Sequence, residues 1–416
     1  MNLNALIALW LSVLSLGCAS QTLEVKPERT AIIKNAPTGD ASLVGDPLPA
    51  GTQVAVLGSA PRYWKIQVPD GRVGWSYKGN FIEVAGAPAD PGTGPPTAAS
   101  LLARRDALQI VVIDVEVGDA TLIICPEEDG QRDILLIDTG EDDSDRIFGV
   151  LAAYDVASLG KPITRFFITH YDFDHFGDAD EIIPLSQVVY DHGDNIKKSH
   201  KRKYQRLVSQ PGVDRRLMTL DYLETFSGGV TVDCVAVNQA TDCDPSIAAS
   251  PPDEDNPNSI ALIISWRGFD YFTGGDLTFK PETSLANCIR NCDVYHVNHH
   301  GSRATSSDLD FVKKLDPEVS IASNGARHGH PSADVANRLI TDVHSAFFQT
   351  NCNLDSRAHH PDPRFVGDDS FHEDDELEDA EGATGTITVV VDGAAGNYYI
   401  VMPGLNINDG TFPIEP

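Results

Sequence analysis

The chain has 416 residues, with 61 acidic against 31 basic side chains and a formal net charge of −30. Such a charge repels polyanions at long range and excludes a nucleic-acid binder that uses its whole surface. Hydrophobic residues make up 41% of the chain, enough for a buried core, and the length predicts two domains.

Taken in chain order, "MNLNALIALWLSVLSLGCASQ" comes first, a short apolar segment ending in small residues. It is too short for a spanning helix and reads as an export signal over residues 1–20. "LSLGC" resembles a lipoprotein cleavage box with Cys18 as the lipidated residue; cleavage after Ala19 or Ser20, giving a soluble exported protein, is the competing reading. Residues 21–85 carry short alternating runs, "TQVAVLG", "YWKIQVP" and "GRVGWSYKGNFIEV", separated by turn residues, which predicts a small barrel of short strands. "YWKIQVPDGRVGW" places a D-G hairpin turn between Trp64 and Trp75, with Trp75 expected in the core. "DGRVGWSYKGNFIE" resembles a bacterial SH3-like domain, a resemblance that implies binding of a cell-wall peptide or a protein. "AGAPADPGTGPPTAAS" then reads as an extended linker, giving a boundary over 86–105.

A second domain follows over 106–403, with a tail at 404–416. "LQIVVIDV", "ATLIICP" and "DILLIDTG" read as buried strands, "DDSDRIFGVLAAYDVA" as a capped helix, and "ITRFFIT" as a central strand. Further strands are expected in "SIALIISW", "FDYFTGGDL", "CDVYHVNHHGS" and "VSIASNG", and a closing hairpin in "TGTITVVVD" and "NYYIVMP". Strands in both halves with helices between them predict a two-sheet α/β arrangement. The acidic run "GDDSFHEDDELEDAE" reads as a solvated loop. With Cys18 lipidated or removed, Cys125, Cys234, Cys243, Cys288, Cys292 and Cys352 remain; an even number in an oxidising compartment predicts disulfides. Cys234 with Cys243 is the first pair expected and Cys288 with Cys292 the second.

"THYDFDHFGD" concentrates two His and three Asp directly after the strand 163–168. Polar loops at strand ends are where α/β sheets gather functional groups, and a tight H-x-D-x-D-H turn lets neighbouring ligands serve two adjacent cations. The segment resembles the H-x-H-x-D-H signature of the metallo-β-lactamase fold. "DVEVGDA", "IDTG", "NPNSIALII", "TGGDL", "NHHGSRATSS" and "RHGHPSADV" follow in the order found in the hydrolase domain of the ComEC competence proteins and its relatives. The fold implied is α/β: an αββα two-sheet metallo-β-lactamase sandwich preceded by the small all-β SH3-like barrel.

The same resemblance implies two divalent metal ions. His170 and Asp172 would serve the first, Asp174 and His175 the second, with Asp276 bridging and His300 as a later ligand. His299 stands as the rival of His300, and His330 as a candidate for the remaining position or for a hydrogen bond to substrate. The family's usual third His is replaced by Asn258 and Ser259; His192 lies in the interval as a candidate substitute, with a surface-loop histidine the expected reading. Asp172 in place of an imidazole hardens the site, so zinc is expected with manganese or iron as alternatives. Asp174 would orient or deprotonate a water, and His299 or His330 would protonate a leaving group.

Phosphodiesters are the expected substrate class, from the ComEC resemblance and from "KKSHKRKYQR", the one dense basic stretch. A small ester, lactone or lactam at the cell wall is the first alternative, and a non-catalytic wall- or partner-binding protein the second. No long duplex nucleic acid is expected, and membrane contact only through a lipid anchor. The protein is expected in the periplasm, lipid-anchored at the envelope, or secreted.

Overall fold

The computed structural model describes residues 22–26, 31–34, 43, 47–49, 52–60, 63–68, 72–77, 80–83, 96–141, 144–154, 156, 161–195, 198–251, 254–325, 329–351, 366–368, 385–403 and 405–414. The segment read as export signal, residues 86–95 of the linker and most of the acidic run lie outside them; within the rest of the stretch read as an extended linker, Ala98–Leu102 is a short helix. The chain divides into two compact units, 1–101 and 102–416.

In the first unit, five antiparallel strands form one sheet in the order Val73–Tyr77, Tyr63–Gln67, Gln53–Ala60, Thr22–Val25, Phe81–Glu83. Its core is small: Val25, Ala31, Ile33, Leu48, Val54, Ile66 and Val68. Trp75 is half-buried, and its backbone is bridged to Lys34. The side chain of Trp64 lies outside the described residues.

The second unit is a sandwich of two sheets. The first runs, in spatial order, Arg215–Leu217, Ser186–Asp191, Ile163–Phe167, Ile134–Ile137, Thr121–Ile124, Leu108–Val112, Ile387–Asp392, Asn397–Val401, Thr411–Pro413. The second runs Leu223–Phe226, Val230–Val237, Ala261–Trp266, Phe269–Thr273, Val294–His296, Val319–Ala322, Ala346–Asn351, Val366–Asp368. Side chains from both sheets, among them Ile110, Ile123, Val294 and Ile321, meet in the central core. Helices cover the outer faces. Ser144–Ala153 and Lys198–Val208 lie on the first, packing Ile147 and Tyr204 against Phe166. Phe279–Leu285 and Leu309–Leu315 lie on the second, packing Leu285 and Phe311 against Phe272.

This is the α/β two-sheet sandwich expected, with strands at the segments named in the sequence. Strands Ser186–Asp191, Arg215–Leu217, Leu223–Phe226 and Val230–Val237 add to it, and Thr411–Pro413, within the stretch read as a tail, pairs with Asn397–Val401. Strands Ile134–Ile137, Ile163–Phe167 and Ser186–Asp191 run parallel, as do Phe269–Thr273, Val294–His296 and Val319–Ala322. Parallel strands direct their C-terminal ends to one edge of a sheet, where a polar site can be assembled.

The cysteine pairing differs from expectation. Cys243 bonds Cys288, with Cα atoms 5.6 Å apart, while Cys125, Cys234 and Cys292 are free and buried. Cys234 faces the central core between the sheets, whereas Cys243 and Cys292 pack in the helical layer outside the second sheet. Two cysteines nine positions apart thus point to opposite sides of one sheet and cannot meet. Cys18 and Cys352 lie outside the described residues.

Candidate metal centre

After the strand Ile163–Phe167 the chain passes through Thr169 into one helical turn, Phe173–Phe176. Tyr171 and Phe176 are fully buried and anchor this loop against Tyr204, leaving His170, Asp172, Asp174 and His175 to converge from the intervening positions. His170 and His175 are themselves fully buried, with ring centroids 4.2 Å apart. A solvated surface turn would not bury two imidazoles among carboxylates.

Asp276, after the strand Phe269–Thr273, is the centre of the arrangement. Its Oδ1 lies 3.1 Å from Nε2 of His175 and 3.5 Å from Nε2 of His300. Its Oδ2 lies 3.6 Å from Nε2 of His170 and 3.3 Å from Nε2 of His299. Asp172 Oδ2 is 3.8 Å from His170 Nε2, and Asp174 Oδ2 is 3.5 Å from His300 Nε2. His299 and His300 are consecutive residues in left-handed backbone, both with φ of 51°. Such a conformation costs a side-chain-bearing residue of order 1–3 kcal/mol and persists where surrounding structure enforces it. Here it turns two neighbouring imidazoles onto the two oxygens of one carboxylate.

Neighbouring loops hold these groups in place. Asp138, of "IDTG", accepts from the backbone and hydroxyl of Thr169 and lies 2.8 Å from Nδ1 of His175. Gly118, of "DVEVGDA", lies against the metal loop: a Cβ there would be 1.9 Å from the carbonyl oxygen of Asp174, and φ is +105°. The N–H of Asp119 donates to that same oxygen. Gly325 is as tightly placed against the same loop, with a Cβ falling 2.1 Å from the Glu116 oxygen.

Electrostatics follow from this crowding. Burial pushes the Asp276 carboxyl up, but His299, His175, His300 and His170 outweigh it and hold it well below the usual range. Asp174 is likewise raised by burial and lowered further by His175 and His300. Burial pulls His300 down, yet Asp119 and Asp276 bring it up to about 9; His175 is raised well above its usual value against burial by Asp276 and Asp138. His299 goes the other way, lowered chiefly by burial.

The donor set fits a pair of divalent cations. Nε2 of His170, His175 and His300 and Oδ1 of Asp276 are buried without a hydrogen-bond partner among the described residues. Ligand atoms of His170, His175 and Asp276 lie within 4.8 Å of one another. Imidazole nitrogens and carboxylate oxygens in this number suit zinc, manganese or iron. His330 stands apart from the ligand cluster on the rim of the cleft, its ring 5.9 Å from that of His299. The cleft is open to solvent and spans about 630 Å³.

Three residues of the site escaped sequence reasoning. Asp119 Oδ1 lies 3.6 Å from Nδ1 of His300 and 3.5 Å from Nε2 of His296, so a carboxylate and a further imidazole stand behind His300. Asn256 donates from Nδ2 to Asp276 Oδ2 and lies 3.3 Å from His299 Nε2. "DVEVGDA" and "NPNS" were visible as motifs, but not which member faces the cleft. Asn258, which stands at the place of the family's third His, pins the loop at Ser250 and approaches Asp255. His192 is buried rather than on a surface loop: its ring lies tilted 4.4 Å from that of Tyr171, and it is 3.3 Å from Asp255, which accepts from the Tyr171 N–H.

Residues 113–323 match the family described as the metallo-beta-lactamase superfamily. Among curated proteins none matches. Among solved structures the chain is similar to the metallo-β-lactamase fold protein YhfI from Bacillus subtilis, at 13% identity over 58% of this chain and 96% of that one, with a TM-score of 0.39. It is also similar to Zn(2+)-bound PqqB from Methylobacterium extorquens (13% identity, 44% and 62% of the two chains, TM-score 0.29). A third is the short form of human tRNase Z (14% identity, 51% and 91%, TM-score 0.31).

Proposed function

The chain belongs to the metallo-β-lactamase superfamily of metal-dependent hydrolases, and from that premise we propose that it is an exported phosphodiesterase of ComEC-like type. The observation that carries the substrate class is the position of the basic stretch. From its second residue on, this stretch forms the helix Lys198–Val208, whose His200 and Tyr204 pack on the metal loop. His200 is hydrogen-bonded to the Tyr171 carbonyl and lies 4.0 Å from Asp172 Oδ1, with its ring 4.2 Å from that of Phe173. Lys203 donates to the Gly177 carbonyl, and Arg202 is exposed. Lys197 and the side chains of Lys198 and Lys201 lie outside the described residues. A cationic helix packed on the metal loop, beside an acidic cleft that none of its described residues lines, suits a phosphate better than a neutral ester.

In this reading His170, Asp172, Asp174, His175, Asp276 and His300 hold two divalent cations. When bound, such cations lower the pKa of a coordinated water to roughly 7 and neutralise developing negative charge. Asp174, at the cleft surface, orients the attacking water and takes its proton. His330, on the rim, donates to the leaving oxygen. Asp138 and Asp119, behind His175 and His300, keep the imidazoles aimed inward.

The Cys243–Cys288 bridge supports an oxidising compartment, in keeping with export to the envelope in soluble or lipid-anchored form. We assign residues 21–85 to an SH3-like module that binds a wall peptide or protein. Hydrolysis of bis-p-nitrophenyl phosphate, p-nitrophenyl acetate and nitrocefin, compared side by side on metal-loaded protein, tests the substrate class. Turnover of the acetate or nitrocefin with no diester cleavage replaces this reading by the small-ester or lactam one.

A further inference from the structure

The family's third histidine for the first cation has no counterpart at Asn258 or Ser259, and the structure offers a replacement from a different loop. Resting on the dinuclear reading above, we infer that His299 is the ligand that completes the first cation site, with His170, Asp172 and Oδ2 of Asp276.

Three observations carry this. The two oxygens of Asp276 divide the imidazoles evenly: His175 and His300 face Oδ1, while His170 and His299 face Oδ2. A bridging carboxylate gives one oxygen to each cation, so the pair on Oδ2 belongs with the first. Second, His299 has an outer-shell partner suited to ligation. Thr305 Oγ1 lies 2.7 Å from Nδ1 of His299 and donates to Ser302 Oγ at 3.0 Å, which leaves its oxygen open to accept from Nδ1–H. In that tautomer Nε2, 3.3 Å from Asp276 Oδ2, is the nitrogen left to ligate. An outer-shell acceptor on one ring nitrogen is the usual support of a metal-bound imidazole. Third, Asn256 Nδ2 contacts both Asp276 Oδ2 and His299 Nε2. One small donor thus marks a point that both acceptors address. His300 cannot fill this place: its Nε2 is turned to Asp174 and Asp276 Oδ1, and its Nδ1 is held 3.0 Å from the Ser323 carbonyl.

The test is metal stoichiometry, measured by plasma mass spectrometry and by titration of chelator-treated full-length protein with Mn²⁺ or Zn²⁺ alone. Wild type should take up two ions and H299A one, with the affinity for the retained ion unchanged. H170A should lose the same ion, so that H170A/H299A still retains one. T305V, which removes only the acceptor for Nδ1, should weaken the first ion by about 10-fold or more and spare the second; it keeps the test open if H299A fails to fold. H330A should retain both ions. H299A holding two ions at wild-type affinity overturns the assignment while leaving the dinuclear hydrolase intact, and this includes the case where His299 acts only as a proton donor and its loss affects rate alone. Wild-type protein that takes up no ion overturns both.

Discussion

The Oδ2 atom of Asp138 lies 2.8 Å from Nδ1 of His175, so a residue 37 positions upstream fixes which nitrogen of that imidazole faces the cleft. The same carboxylate holds Thr169 by two hydrogen bonds and thereby the start of the metal loop. D138N should weaken metal binding by about 10–100-fold. Isothermal titration with Zn²⁺ or Mn²⁺ measures this; unchanged affinity would remove Asp138 from the support of the site.

Gly118 is a packing point between two loops. G118A must move the Asp174 carbonyl or leave its own left-handed conformation, a loss of at least about 2 kcal/mol. Urea unfolding gives that number, and the bound-metal count should fall with it because Asp174 is displaced. Wild-type stability in G118A would mean the loops can separate without cost.

The Cys243–Cys288 bridge spans 45 residues. Closing a loop of that length in the unfolded chain corresponds to about 4 kcal/mol in the chain-entropy model, and measured values are commonly 2–4 kcal/mol. C243S/C288S should be destabilised by that amount. Native, unreduced protein should leave Cys125, Cys234 and Cys292 unreactive to thiol reagents, since all three are buried and burial raises each thiol well above its usual range. Rapid labelling of Cys234 without denaturant would contradict its place in the core.

Glu282 is completely buried, and burial raises its carboxyl from 4.5 to about 7 although Asn298 and the N–H groups of Ser307 and Asp308 donate to it. A carboxyl that binds its proton more tightly folded than unfolded favours the native state most below its unfolded pKa. That contribution is lost as pH rises toward 7. Relative to E282Q, which cannot ionise, the wild type should lose up to about 3 kcal/mol between pH 4.5 and 7. Denaturant unfolding of both proteins at the two pH values reads the difference directly; parallel slopes would show that Glu282 does not titrate in this window.

If the basic helix binds phosphate, K197A/K198A/K201A/R202A should raise KM for phosphodiesters several-fold and leave neutral esters unaffected. The salt dependence of KM should flatten, because fewer counterions are released per bound phosphate. Short diesters should outperform long duplexes, which the net charge of −30 repels. Equal effects on diester and neutral ester would point to a structural role for the helix.

How much of this was legible depended on whether the chemistry lay along the chain or across it. His170, Asp172, Asp174 and His175 occupy one short loop, and their alternation with Tyr171 and Phe173 is visible in the residues themselves. The strands that carry Asp276 and His300 announced themselves as apolar runs ending in polar motifs. Asp119, Asn256 and His296 were hidden because each acts on a partner more than a hundred positions away or across two loops, as Asp119 does on His300. No periodicity reports such a meeting. The cysteines failed for a related reason: Cys234 and Cys243 are close in sequence, but the sheet between the two hydrophobic layers separates them. His192 looked like a loop residue because the carboxylate that draws it inward, Asp255, comes from another segment.

Gly118 and Gly325 both line the cleft, and neither has room for a single added carbon. Two stretches of the wall are therefore bare backbone that descent with modification cannot readily decorate. Any drift in substrate size or shape among relatives of this chain must be written on parts of the cleft other than these two glycines.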